Sequence, residues 1–401
     1  MCDGDIAASA GSHGNGPAEP SSEHPRTVSR RVALGGGLAA AVTAGGAGIF
    51  GGSAFASPAP HSASTPRPGL STRPSAKSTK DVELITLGTI AGPAVYPDRT
   101  GISSALYVHG KTYVIDCGLG SVRQFVQAGL APESLAAIFI THLHADHIAD
   151  YYNFLLMNVG PWMKAGKRGD TAPSRLQVYG PGPAGGLPAP WSGGAAPTVG
   201  NGNPTPGIAD LTTRCLEAYA YSANDFMRSL SFPDPRGLMK ANEIALPDVG
   251  ASFKNTAPAM RPFPVMEDEY VKVSAILVPH YDVFPSFAFR FDIEGGKSVV
   301  FSGDTRKSDN VAHLATGCDI LVHEAALAGK GSDNIPNPDY WRLSHTFPPE
   351  VGDVATAAGA RSVVLSHLNA GVPDHVWKEG VAKNYRGPIT VAADLQRFSL
   401  T

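Results

Sequence analysis

The stretch Thr141-His142-Leu143-His144-Ala145-Asp146-His147 puts three imidazoles and a carboxylate within six residues. It directly follows the apolar run Leu135–Ile140, an order that reads as a buried strand running into a loop and then a helix start. Imidazole nitrogen and carboxylate oxygen are ligands for cations such as Zn²⁺. Four such groups on one turn come together at little loop-closure cost. Without a cation they would have to be desolvated side by side, at a large penalty. They form two pairs, His142/His144 and Asp146/His147, each able to hold a separate ion.

The 401 residues are enough for two average domains or one larger α/β unit, and 43% hydrophobic content supports a sizeable core. A net charge of −3 offers nothing to a polyanion, which disfavours nucleic acid as a partner. The four cysteines, two of them beside aspartates at the ends of apolar runs (Cys117 and Cys318), do not suggest a disulfide framework.

At the N-terminus, Ser29-Arg30-Arg31 precedes a Gly/Ala-rich apolar stretch, and Ala54-Phe55-Ala56 supplies a small-residue cleavage site. This order reads as a secretory signal over residues 1–56, and the paired arginines resemble a twin-arginine signal. Export to the extracellular or cell-wall side is therefore expected, without a stable membrane anchor. Residues 57–80, rich in Ser, Pro and Thr, read as a disordered linker. A single catalytic domain is expected over 81–401, with a Gly/Pro-rich, pocket-forming insertion over about 160–265.

Within it, alternating and apolar runs predict strands over 81–87, 103–109, 111–116, 176–180, 271–279, 286–292 and 298–302, with others at 318–323 and 361–366. Helices are expected at 121–128, 149–159, 212–230 and from about Pro348, and residues 181–210 carry no periodicity. Several strands end in a polar tip: Asp116, His280, Asp304, His323-Glu324 and His367. Asp225, Phe226 and Arg228 on the 212–230 helix, and Tyr281 after His280, are candidate pocket-wall residues.

The heptad resembles the signature of the metallo-β-lactamase fold hydrolases, and four later blocks narrow the match. Phe301–Asp309 (FSGDTRKSD), Leu321–Ala325 (LVHEA), Ser344–Thr346 (SHT) and Leu365–Leu368 (LSHL) resemble, in order, blocks of the ribonuclease Z group. That group also includes metal-dependent phosphodiesterases and arylsulfatases. The resemblance covers about 82–160 and 270–395. It implies a four-layered αββα sandwich with two divalent ions, Zn²⁺ as first choice and Mn²⁺ or Fe as alternatives.

Carried over by position, His142, His144 and His280 would bind one ion. Asp146, His147 and His367 would bind the other, and Asp304 would bridge them. Asp146, His345 and Glu324 would be catalytic, with His345, held by Glu324, as general acid. Asp116 would support the metal ligands from behind. The implied reaction is attack of a metal-bridged hydroxide on a phosphodiester or aryl sulfate.

Ribonuclease Z proper carries a long arm that grips tRNA, expected between the His280 strand and Asp304. Here only Gly295-Gly296-Lys297 separates the two strands in that interval. The expectation is therefore an exported hydrolase of small phosphodiesters or aryl sulfates, with homodimers common in the group. The alternatives are tRNA 3′-processing and lactonase or β-lactamase activity. A non-catalytic metal-binding protein ranks last.

Overall fold

A computed structural model of the chain describes residues 81–168, 175–200, 202–328 and 335–400. The expected signal and linker, residues 1–80, lie outside the described residues. The first sheet begins with three antiparallel strands, β1 (Val82–Gly88), β2 (Ser103–Val108) and β3 (Lys111–Ile115). It continues in parallel through β4 (Leu135–Phe139), β5 (Leu176–Gly180) and β6 (Met239–Glu243).

The second sheet starts with four antiparallel strands, β7 (Phe263–Glu267), β8 (Val271–Leu277), β9 (Phe287–Ile293) and β10 (Lys297–Phe301). Three parallel strands extend it: β11 (Ile320–Ala325), β12 (Val363–Leu368) and β13 (Ile389–Val391). The last strand, β14 (Gln396–Ser399), returns to pair with β1.

Side-chain parity explains the layering. Along β9, Phe287, Phe289 and Phe291 point between the sheets, while Ala288 belongs to the outer core. Along β1, Leu84 faces the partner sheet, and Ile85 and Leu87 face outward. Burial on both faces suppresses polar–apolar alternation, and β1 and β12 are buried along their whole length. The inner core is centred on Phe139, whose ring meets Phe289 and Phe291 edge-on at 5.5 and 5.0 Å.

Helices cover both outer faces. On the first sheet lie α1 (Ser121–Gln127), α2 (Ala145–Ile148) and α3 (Tyr151–Arg168), followed by α4 (Ile208–Ala218) and α5 (Ala220–Ser229). On the second lie α6 (Asp309–Leu314), α8 (Pro348–Ala358) and α9 (Asp374–Ala382), while α7 (Tyr340–Ser344) leads directly into His345. The expected αββα sandwich is what is observed.

Two helix expectations are corrected. The 149–159 helix extends to Arg168 through Pro161, because Tyr151, Phe154 and Leu155 bury a face that outweighs one lost ladder bond. The 212–230 helix is two helices broken at Tyr219, whose ring is anchored 4.7 Å from Tyr152.

Candidate metal centre

The C-terminal ends of β4, β10, β11 and β12 converge at one edge of the sandwich, where parallel strands place their binding loops. The heptad follows β4, and His144 is the residue at which α2 begins. Gly303 precedes Asp304 with φ +58, and a Cβ there would lie 2.4 Å from the Phe287 carbonyl oxygen. Only glycine lets that turn pass so close to β9. Asp116 (φ +58) and His367 (φ +54) also hold left-handed backbone, which aims their side chains at the cluster.

Asp304 is the hub. Its Oδ2 lies 3.2 Å from His367 Nε2 and 3.3 Å from His147 Nε2. The same oxygen is 3.8 Å from His280 Nε2 and 3.9 Å from His142 Nε2. On one side, His280 Nε2 and His144 Nδ1 are 3.2 Å apart. On the other, Asp146 Oδ2 lies 3.3 Å from His367 Nε2 and 3.6 Å from His147 Nε2.

These spacings fit two cations. Ligand atoms about 2.1 Å from a tetrahedral ion are about 3.4 Å from one another. His142 Nε2, His147 Nε2 and Asp304 Oδ1 are buried with no hydrogen-bond partner, so their lone pairs are left for something else. The triads His142/His144/His280 and Asp146/His147/His367 each bring their ligand atoms within 4.8 Å. A dinuclear site of His and Asp ligands is thus what the side chains are arranged to hold.

The opposite ring nitrogens are fixed by the surrounding structure. His147 Nδ1 meets Asp116 Oδ2 at 2.9 Å, and Asp116 in turn accepts the Thr141 backbone N–H at 2.8 Å. His280 Nδ1 donates to the Ser344 carbonyl at 2.8 Å. Such partners set the tautomer and orient the free nitrogen inward. The Gly92 N–H donates to Asp146 Oδ2 at 3.0 Å, a contact with no signal in the sequence.

Charge follows burial and neighbours. Burial, reinforced by His147 and His144, keeps His142 well below the usual imidazole range. Burial brings His280 to about 3, so both offer a neutral lone pair. Burial also opposes charge on Asp146, but His147 and His367 outweigh it and hold its carboxyl below the ordinary value.

Beside the cluster, Glu324 Oε1 accepts from His345 Nδ1 at 3.2 Å and from the Thr305 and Thr346 backbone N–H groups. The His345 ring stacks on His367 at 5.8 Å and lies 5.2 Å from Trp341. Burial disfavours its charged form, but Glu324, Asp304 and Asp146 together raise its pKa above the ordinary value. His345, Tyr340, Trp341 and Tyr96 line a cleft of about 410 Å³ that opens onto Asp304 and Asp146. Burial pushes the Tyr340 hydroxyl up to about 12, so it remains a donor at neutral pH. Sequence reading missed Tyr96, Tyr340 and Trp341; proximity of the last two to His345 was the available signal.

Not every expected pocket residue is there. Phe226 lies in a separate apolar groove with Tyr152, Leu156 and Phe232, outside the metal cleft. Arg228 donates to the Asn224 carbonyl of its own helix. Asp225 accepts from Ser229 through its carbonyl on the same exposed helix. The reason is that α5 has no buried residue and its groove faces Tyr152, Leu155, Leu156 and Val159 rather than the strand ends. Tyr281 (φ +48) turns toward Tyr340, with ring centroids 6.4 Å apart, behind the cleft wall.

A sequence profile described as the metallo-beta-lactamase superfamily matches residues 98–156. Ribonuclease Z of Mycobacterium bovis is 25% identical over 338 residues, covering 80% of this chain and 98% of its own length. Ribonuclease Z of Methanothermobacter thermautotrophicus is 26% identical over 314 residues, covering 72% and 87%. Among solved structures, human short-form tRNase Z superposes with a TM-score of 0.53 at 20% identity, covering 80% and 99%. A metallo-β-lactamase fold protein from Bacillus subtilis, YhfI, gives 0.52 at 15% identity, covering 79% and 98%. The chain has the metallo-β-lactamase hydrolase fold. Both of these sequence relatives are ribonucleases Z.

Proposed function

We propose that this chain is a metal-dependent phosphodiesterase of the ribonuclease Z type. The observation that carries the reading is the double ligand set joined at Asp304 with the His345–Glu324 pair beside it. His142, His144 and His280 would hold one ion, Asp146, His147 and His367 the other, and Asp304 both. When bound, two divalent ions, Zn²⁺ by the donor set, would supply Lewis-acid activation of water and of the phosphoryl oxygens.

The remaining chemistry belongs to the protein. Attack by water oxygen forms a P–O bond on phosphorus, and the bond to the leaving oxygen breaks in line with it. Glu324 accepts the hydrogen bond from His345 Nδ1–H and so leaves Nε2 facing the cleft. From there Nε2 gives its proton to the departing alkoxide or phenoxide, help worth roughly 10²–10⁴-fold. Asp116 keeps His147 in the tautomer whose Nε2 faces inward.

The ribonuclease Z relatives favour a phosphodiester over an aryl sulfate, and as ribonucleases they favour RNA. One observation supports a small phosphodiester instead. Strands β9 and β10 are joined by Glu294-Gly295-Gly296 alone, where a tRNA-gripping arm would be inserted.

The deciding experiment compares precursor tRNA, bis(p-nitrophenyl) phosphate and p-nitrophenyl sulfate with metal-counted protein, using Asp304→Ala as control. Cleavage of either phosphodiester, lost in the variant, supports the proposal, and accurate tRNA trimming selects the RNA reading. Turnover of the sulfate alone, or of nothing, would overturn it.

A further inference from the structure

A second cavity adjoins the metal centre on the far side of His144. It encloses about 380 Å³, and His144 lines both it and the cleft that contains His345. These two compartments thus share one imidazole as a wall. Their chemistry differs. The first has Tyr96, Tyr340, Trp341 and the proton donor His345. The second is walled by Leu143, Ile148, Leu187, Leu211, Val283 and Phe284, with five prolines between them.

Among the described residues no lysine or arginine lines this second cavity, and the acidic Asp282 does. A phosphate beyond the scissile one would meet no cation there and would face a carboxylate. An uncharged apolar group, in contrast, would bury surface worth about 25 cal/mol per Å².

The wall is also built to persist. Residues 181–200 and 202–208 fold back on one another, with Ile208 N–H bonded to the Pro181 carbonyl at 2.8 Å and Ala184 N–H to the Thr205 carbonyl at 3.3 Å. A Cβ on Gly186 would lie 2.4 Å from the Phe253 ring, so this loop is seated directly on the domain. The prolines pre-set its backbone and reduce the entropy lost on folding.

We infer that this compartment is the subsite for the substrate arm that stays on phosphorus, and that this arm is uncharged and apolar, an aryl or branched alkyl group. The inference rests on the phosphodiesterase reading. The leaving oxygen departs toward His345, because the proton that neutralises it comes from that side. In an in-line displacement the retained arm projects sideways from the attack axis. A cavity of about 920 Å³ meets the cluster at Asp146, but Asp98, Arg99, Arg123 and Asp394 make its lining charged, whereas the one at His144 is apolar and suits an uncharged arm. The group so selected has the chemistry of a mixed diester with one hydrophobic substituent, and a continuing polyphosphate strand does not fit it.

The test uses two diesters with the same p-nitrophenolate leaving group, phenyl p-nitrophenyl phosphate and methyl p-nitrophenyl phosphate. The same pair of arms, as phenylphosphonate and methylphosphonate, is titrated calorimetrically into the metal-loaded protein. The variant is Leu187→Asp, at a position 51% exposed and so able to change without emptying the core. The expected result is a KM and a Kd about tenfold lower for the phenyl compounds. Leu187→Asp should erase that preference, raising KM and Kd for the phenyl compounds to those of the methyl compounds.

Equal affinities in the wild type, or a phenyl preference that survives Leu187→Asp, would overturn the subsite. Phenyl-selective binding that Leu187→Asp removes, with no turnover of either diester, would sink the phosphodiesterase reading while the subsite stood.

Discussion

The two halves of the metal centre are built by different means. His142, His144, Asp146 and His147 come from one turn after β4, so their approach is settled by local chain geometry. His280, Asp304 and His367 arrive from three separate strand ends, and only assembly of the second sheet brings them together. The first half is a preformed ligand loop, and the second is a product of tertiary structure. Loss from the second half should therefore uncouple the ions, whereas loss behind the first should only weaken them.

The largest effect is expected at Asp304, whose Oδ2 lies within 3.9 Å of four imidazole nitrogens. Asp304→Ala should reduce activity to background and lower the bound metal below two ions, as elemental analysis would show. A variant that keeps both ions and turns over would break the idea of a shared hub. Next comes His345→Ala, with a loss of roughly 10²–10⁴-fold on alkyl leaving groups and a smaller one on p-nitrophenolate. Equal losses across a leaving-group series would remove His345 from proton donation.

Asp116→Asn should weaken metal binding by roughly 10–100-fold at the site containing His147, read by competition with a chromogenic chelator. Unchanged affinity would mean that the turn alone orients His147. Smallest of all, Phe226→Ala should leave kcat/KM within about twofold, since the groove around it is separate from the cleft. A large change there would reinstate α5 as a wall of the active site.

The same contrast separates what the sequence reveals from what it conceals. The heptad is legible from residue types and spacing alone, because its function is local. His280, Asp304 and His367 are individually unremarkable polar strand tips, and resemblance to known blocks is what singles them out. The αββα layering follows from apolar runs such as 135–140 and 298–302, whose burial on both faces suppresses alternation.

Other features carry no such signal. The 181–208 loop lacks periodicity, and its role as a cavity wall depends on contacts with Phe253 and with the 282–285 segment. Strands β6, β7, β13 and β14 are short, three to five residues, and are fixed by pairing with distant partners. Phe226 and Arg228 misled because aromatic and cationic residues suit a pocket, yet helix packing decides which surface they face. Residue type proposes a role, and tertiary contact assigns it.

The most direct test of the account is a count of bound metal per chain during titration of the metal-free protein with Zn²⁺, with hydrolysis of bis(p-nitrophenyl) phosphate followed in the same samples. Saturation at two ions is expected, with activity rising as the second site fills. Saturation at one ion with full activity would contradict the shared centre at Asp304.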